Sequence, residues 1–269
     1  MLNLYEREGV IFAEGTLGQG RKVFVYWVDG MLIDTGAEKM QESLIPFYKK
    51  YGFDRVVLTH NHEDHTGTAA WIEEHLQKTI FVHPNGVALC RLPGDYPRYR
   101  QQTWGGRKAF SPLPLPEIVH SRHQTWKVIY TPGHASDHTA FYNEATGQLF
   151  SGDLFVSPKT KVMMATESVP MIMDSLKKLL ATDFRSLYCS HAGYFPNGRD
   201  MLQAKLKNLE SLAEATIDLA QKGFSALEIR DRLLPGAYPI IAFSEREWDS
   251  LHVIESILQD SQFNQGGRA

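Results

Sequence analysis

The stretch Thr59-His60-Asn61-His62-Glu63-Asp64-His65-Thr66-Gly67 constrains this chain more than any other. It places three imidazoles and Asp64 within six residues, in a chain that has 11 histidines among 269 residues. The apolar run Val56-Val57-Leu58 before it reads as a strand, and Thr68 to Lys78 after it reads as a helix. The polar groups therefore belong on a loop at the C-terminal end of a strand, facing a helix N-terminus. Imidazole nitrogen and carboxylate oxygen are the ligands a zinc-type ion takes. In extended chain, alternate side chains share a face. His60, His62 and Asp64 are thus expected to converge while Asn61 and Glu63 point elsewhere, and the turn at His65 can aim that ring at a second ion.

Three later strand ends repeat the theme. Trp126 to Tyr130 is followed by Thr131-Pro132-Gly133-His134, Leu149-Phe150-Ser151 by Gly152-Asp153, and Leu187 to Ser190 by His191. Each ligand-type residue follows an apolar run and lies in a turn with Gly or Pro nearby. Seven such groups suit two metal ions about 3.5–4 Å apart. The simplest allocation gives one ion three imidazoles and the other Asp64, His65 and His191, with Asp153 bridging.

Around these points the chain alternates strands and helices, which indicates an α/β layered body. Strands are expected at Val10 to Glu14, Lys22 to Val28, Met31 to Ile33 and Thr79 to Val82, and helices at Glu38 to Tyr51 and Ser168 to Ala181. Residues 91–117 break the pattern with repeated Pro and Gly and read as a long irregular excursion. Tyr96, Tyr99, Trp104 and Arg107 on it suggest an ordered cover over a pocket for an anionic or amphipathic substrate. From Arg199 onward the pattern is helical, with capping-box spacing at Ser225/Glu228 and at Ser244/Glu247. The expected division is a catalytic domain over 1–198 and a helical extension over 199–269, with a frayed tail from Phe263 to Ala269.

Net charge is −3, which gives no general pull toward nucleic acid or anionic membrane. No run of 18 apolar residues and no leader-like N-terminus is present, so neither a membrane span nor a signal peptide is expected. The two cysteines, Cys90 and Cys189, give no disulfide framework, and a cytoplasmic location is the expectation.

The ordered set resembles the metallo-β-lactamase-fold hydrolase superfamily. His60, His62, Asp64 and His65 match its His-x-His-x-Asp-His motif, and His134, Asp153 and His191 match its later single ligands. Asp34-Thr35-Gly36, at the end of an early strand, looks like the family's as well. The resemblance covers about residues 10–195. It implies a four-layer αββα sandwich, two sheets faced by helices, with the C-terminal helices appended. It also implies His60, His62 and His134 on a first ion and Asp64, His65 and His191 on a second, with Asp153 between them. Asp34 and His138 are expected as hydrogen-bond partners that orient this set. Two divalent ions are implied; zinc is expected, with Mn2+ or Fe2+ as alternatives.

The chain departs from several branches of that family. Asp153 separates it from the di-zinc β-lactamases, His62 from the flavo-diiron proteins, and Val156 from the acyl-homoserine lactonases, which keep a Tyr there. The chain is too short for the large nuclease insertion. It is similar to the glyoxalase-II-like hydrolases and to short members with a helical extension. The expected activity is hydrolysis of a small thioester, ester or lactone by a metal-bridging hydroxide, with Asp64 orienting it and passing a proton to the leaving group. The alternatives are a nuclease or phosphodiesterase on single-stranded nucleic acid, suggested by the aromatic and basic loop, and a mononuclear-iron persulfide dioxygenase. The expected partner is a small molecule, and a homodimer is admissible.

Overall fold

A computed structural model describes residues 2–266, with side chains described to residue 259. Along the chain the strands are β1 (Leu2–Arg7), β2 (Val10–Leu17), β3 (Arg21–Val28), β4 (Met31–Ile33), β5 (Arg55–Val57), β6 (Thr79–Val82), β7 (Leu113–Pro114), β8 (Ile118–His120), β9 (Thr125–Tyr130), β10 (Thr139–Asn143), β11 (Gln148–Gly152), β12 (Met163–Met164), β13 (Ser186–Cys189), β14 (Gly193–Phe195) and β15 (Trp248–Asp249). The helices are α1 (Gln41–Tyr51), α2 (Glu63–Thr66), α3 (Ala69–Leu76), α4 (Pro84–Cys90), α5 (Arg98–Trp104), α6 (Val169–Leu180), α7 (Gly198–Gln221), α8 (Ala226–Leu233), α9 (Pro239–Phe243) and α10 (Ser250–Gly266).

The strands form two main sheets. One has the order β1-β2-β3-β4-β5-β6-β7, the other β14-β13-β11-β10-β9-β8, and β12 pairs with β15 as a separate two-stranded ribbon. Strand alternation decides which layer each side chain enters. On β3, Val23 and Val25 pack outward with Leu44 and Phe47 of α1 and Ile72 of α3. Phe24, Tyr26 and Val28 point inward and meet Trp126, Phe141, Phe150 and Tyr188 of the second sheet. On β10 the inward residue is Phe141, whereas Ala140 and Tyr142 pack outward with Leu176 and Leu179 of α6 and Leu202 and Leu209 of α7. Three stacked cores and four layers result, the αββα arrangement. No helix among the described residues is long and apolar enough to cross a membrane.

The structure departs from the sequence-based expectations in four places. β1 pairs with β2 along its whole length although its sequence carries little apolar signal. The excursion at 91–117 is not irregular throughout: Pro97 and Gly105 bound α5, which buries Tyr99, Arg100, Thr103 and Trp104. Ser225 and Glu228 form the expected capping box on α8, but Ser244 and Glu247 do not open a helix. Ser244 instead closes α9, its Oγ accepts from the Trp248 amide at 3.0 Å, and Trp248–Asp249 pairs with Met163–Met164 as strand. In the tail, α10 continues to Gly266, and residues 267–269 lie outside the described residues.

Trp126 is fully buried between the sheets, with its Nε1–H donating to Ser121 Oγ. Trp126→Ala is expected to lower unfolding free energy by about 3–5 kcal/mol in a urea melt, the usual cost of such a cavity. A loss below about 1 kcal/mol would show that the two sheets do not depend on this contact.

Candidate metal centre

Strand direction brings the site together. β4, β5 and β6 are mutually parallel, so Asp34 after β4 and His60 after β5 leave the first sheet at one edge. In the second sheet β9 and β11 are both antiparallel to β10, and β11 is parallel to β13. β9, β11 and β13 therefore run the same way, and His134, Asp153 and His191 emerge together. His138 precedes β10 and enters from that same edge. The Thr139 amide donates to Thr59 O at 2.7 Å and fastens the edges to each other.

The His-rich loop is extended only as far as His62. Glu63–Thr66 is a single helical turn in which His62 O accepts from the amides of His65 and Thr66. Alternation along an extended chain thus accounts for His60 and His62, while the helical turn aims Asp64 and His65 at the adjoining half of the site.

Three groups of donors lie close enough to share ions: His60, His62 and His134; His60, His65 and Asp153; and Asp64, His65 and His191. His62 Nδ1 is 3.0 Å from His60 Nε2 and 3.1 Å from His134 Nε2. His191 Nε2 is 3.0 Å from Asp153 Oδ2 and 3.3 Å from Asp64 Oδ2, and His65 Nε2 is 3.6 Å from Asp64 Oδ2. Donors about 2.0–2.2 Å from one ion stand roughly 3–3.6 Å from each other, so these spacings fit cation coordination. Asp153 borders both halves, with Oδ2 3.4 Å from His134 Nε2 and Oδ1 3.5 Å from His65 Nε2.

The outer nitrogens of most of these rings have partners that fix ring orientation. His65 Nδ1 is 2.9 Å from Asp34 Oδ2, His134 Nδ1 is 2.5 Å from Glu167 Oε1, and His191 Nδ1 donates to Lys22 O at 2.6 Å. His138 supports the site without entering it. Its Nδ1–H faces Thr131 O, and its Nε2 accepts from the Asp153 amide at 3.0 Å. Gly152 permits that approach: its φ is +51°, and a Cβ there would stand 2.5 Å from His138 Nε2. Burial pushes the His138 pKa down to about 3, so the ring stays neutral.

The two halves differ electrostatically. Burial, reinforced by neighbouring rings, pushes His60 and His62 well below the ordinary imidazole range, which leaves them as neutral bases. Burial opposes charge on His65 and His191 too, but Asp64 and Asp153 outweigh it and hold both rings well above that range. Asp64 and Asp153 are in turn held low against their burial by those two imidazoles. A dication entering this second half displaces protons.

The cluster forms the floor of a cavity of about 580 Å³. Of the four candidate substrate-contacting residues, Tyr99 and Trp104 line it. Tyr96 and Arg107 do not. Tyr96 Oη donates to Asn61 O, and Arg107 is buried beneath the cover, donating to Tyr96 Oη and to the carbonyls of Leu89, Cys90 and Leu92. Two residues absent from the sequence-based set contribute instead. Arg100 lines the cavity and grips buried Glu63 through two 2.7 Å bonds. Glu167 steadies His134. Glu63 carried a visible signal as the remaining acid of the His-rich loop and Arg100 as one of the basic residues of the covering loop, whereas Glu167 carried none.

A family profile described as the metallo-beta-lactamase superfamily matches residues 18–217. The chain is 29% identical over 133 residues to a probable metallo-hydrolase, YybB, of Bacillus subtilis, covering 49% of this chain and 59% of that one. It is 26% identical to a hydroxyacylglutathione hydrolase of Gloeothece citriformis, covering 63% of each chain. It is 28% identical to an atrochrysone carboxyl ACP thioesterase of Aspergillus fumigatus, covering 65% of this chain and 51% of the relative. The chain thus spans less than two thirds of the length of each of these relatives. A crystal structure of a metallo-beta-lactamase family protein from Thermus thermophilus superposes with a TM-score of 0.70 at 22% identity, covering 95% of both chains.

Arg100→Met leaves Glu63 buried without its counter-charge and is expected to cost about 3–5 kcal/mol in urea unfolding. Glu63→Gln combined with Arg100→Met is expected to restore a large part of that loss. If the single and double variants unfold alike, the pair does not hold the cover in place.

Proposed function

Because the chain belongs to the metallo-beta-lactamase superfamily, we propose that it is a di-metal hydrolase acting on a small acyl substrate, with a thioester as the leading candidate. The observation that carries this reading is a pair of buried donor atoms, His65 Nε2 and Asp153 Oδ1, that have no hydrogen-bond partner among the described residues. They lie where the three groups of donors adjoin. Buried polar atoms are rarely left unsatisfied, and the donor types are those of zinc.

His60, His62 and His134 would hold one ion and Asp64, His65 and His191 the other, with Asp153 shared. Two dications there would lower the pKa of a shared water toward ~7 and polarise the substrate carbonyl. Asp64 is the residue we assign to orienting the attacking water and carrying its proton to the leaving group; its neighbours keep it ionised and ready to accept. His138 and Gly152 set the height of Asp153, and Asp34 and Glu167 hold His65 and His134 in register. The cavity wall, with Tyr99, Trp104, Met164 and Ile172, suits an acyl chain of modest length.

The thioester preference draws on relatives named as a hydroxyacylglutathione hydrolase and an ACP thioesterase. The nucleic-acid alternative is less well supported, because Arg100 and Arg107 of the basic loop are committed to internal partners. The iron dioxygenase alternative needs only one ion, whereas His65, Asp64 and His191 furnish a second set of donors. A cytoplasmic location suits the two buried free thiols, Cys90 and Cys189.

Zinc-loaded protein is expected to hydrolyse simple aryl or N-acetylcysteamine thioesters, with Asp64→Ala lowering kcat by about 10²–10⁴-fold while the far-ultraviolet spectrum is unchanged. Metal-replete protein that cleaves no acyl substrate would overturn the assignment, as would an Asp64→Ala variant of undiminished rate.

A further inference from the structure

Lys205 has no role in the chemistry above, and its setting is unusual. On α7 the buried positions include Leu202, Lys205 and Leu209, the i, i+3, i+7 stripe that faces the second sheet. A leucine would be ordinary at the middle position; the chain places an ammonium there. Lys205 is 7% exposed, and among the described residues it makes no hydrogen bond or ion pair. It lines the same cavity as the metal-type cluster. Burial pushes its pKa down, and Glu167 and Asp153, which make no ion pair with it, draw it part of the way back up. A buried charge without a contacting partner is costly and is seldom kept unless something compensates it.

The surroundings indicate what that is. The acids lining the cavity are Asp64, Asp153 and Glu167, and each is engaged with the histidine cluster. Arg100, the other deep cation, is neutralised by Glu63. The mouth adds Arg21, Lys159 and Lys161 without a further acid. The loop carrying those lysines is tied to α7 by the Thr160 amide, which donates to Asn208 Oδ1 one turn beyond Lys205. The wall of the same cavity also carries apolar Met164, Ile172 and Trp248.

We infer that Lys205 is a specificity-determining residue that binds a carboxylate at the far end of the acyl substrate, so that the preferred substrate is the monothioester of a dicarboxylic acid. This rests on the hydrolase reading for the thioester and on the cavity alone for the carboxylate. A single ammonium matches a single carboxylate, the apolar wall matches the methylenes between, and the cationic mouth draws the anion inward.

The test compares glutaryl and hexanoyl N-acetylcysteamine thioesters on the zinc-loaded full chain. Wild type is expected to prefer the glutaryl ester in kcat/KM by about tenfold or more, as for one charge-assisted contact. Lys205→Met is expected to raise KM for the glutaryl ester by about 10–100-fold while leaving kcat and the hexanoyl ester within about twofold, and Lys205→Arg to retain part of the preference. Titration calorimetry with glutarate itself is expected to show binding to wild type that weakens about tenfold or more in Lys205→Met. No wild-type preference, or an equal loss on both esters, would overturn the inference, and so would glutarate binding indifferent to Lys205. If neither ester is cleaved but glutarate binding depends on Lys205, the thioesterase reading fails and the anion anchor stands.

Discussion

A single buried carboxylate ties the two sheets together at the edge where the chemistry lies. Asp34 is wholly buried, in a left-handed conformation at φ +59° just past β4. Its Oδ1 accepts from the Thr59 amide at 2.8 Å, and its Oδ2 accepts from Thr59 Oγ1 at 2.9 Å and Ser190 Oγ at 3.2 Å. The remaining contact is His65 Nδ1. One side chain therefore fixes the loop after β5, the end of β13 and the tilt of an imidazole. Such a network is costly when incomplete and rigid when complete. Its completeness explains how residues some 130 positions apart in the chain can hold separations near 3 Å.

The remainder of the site is a balance of buried charge. Seven titratable side chains share a small volume, and in one half the carboxylates of Asp64 and Asp153 both stand within 3.6 Å of the imidazoles of His65 and His191. The other half brings three imidazoles close together, of which burial keeps His60 and His62 neutral. This asymmetry makes the apo cluster a poor final state and a good receptor for cations. The Glu63–Arg100 pair extends the balance outward. Arg100 also reaches Glu247 at 3.4 Å, which links the His-rich loop to α5 and to the turn before α10. The cover over the cavity is thus held from the same loop that supplies three histidines.

Much of this was legible in the sequence, for a physical reason. Donor side chains at strand ends leave a local trace, an apolar run that ends in a polar turn, and His60, His134, Asp153 and His191 all carry it, with Gly133, Gly152 and Gly193 within two residues of the last three. What escaped notice depends on contacts between distant segments. Glu167 meets His134 across 33 residues and Arg100 meets Glu63 across 37, and neither lies in a periodic pattern. Tyr96 and Arg107 show the converse: their composition fits a binding surface, but they support the cover from beneath. Two sequences with the same capping spacing diverged as well. Ser225 starts a helix, whereas the segment after Ser244 is captured by β12 as strand before α10 begins, and no local signal distinguishes them.

The hydrolase assignment stands on the cluster's capacity for a pair of dications, and zinc titration of the metal-free full chain followed by calorimetry and elemental analysis measures it directly. Two zinc ions per chain are expected for wild type, falling to one or none tightly bound ion in Asp153→Ala, with protons released as the second half fills. A stoichiometry of one at saturation, or an Asp153→Ala variant that still binds two, would contradict it.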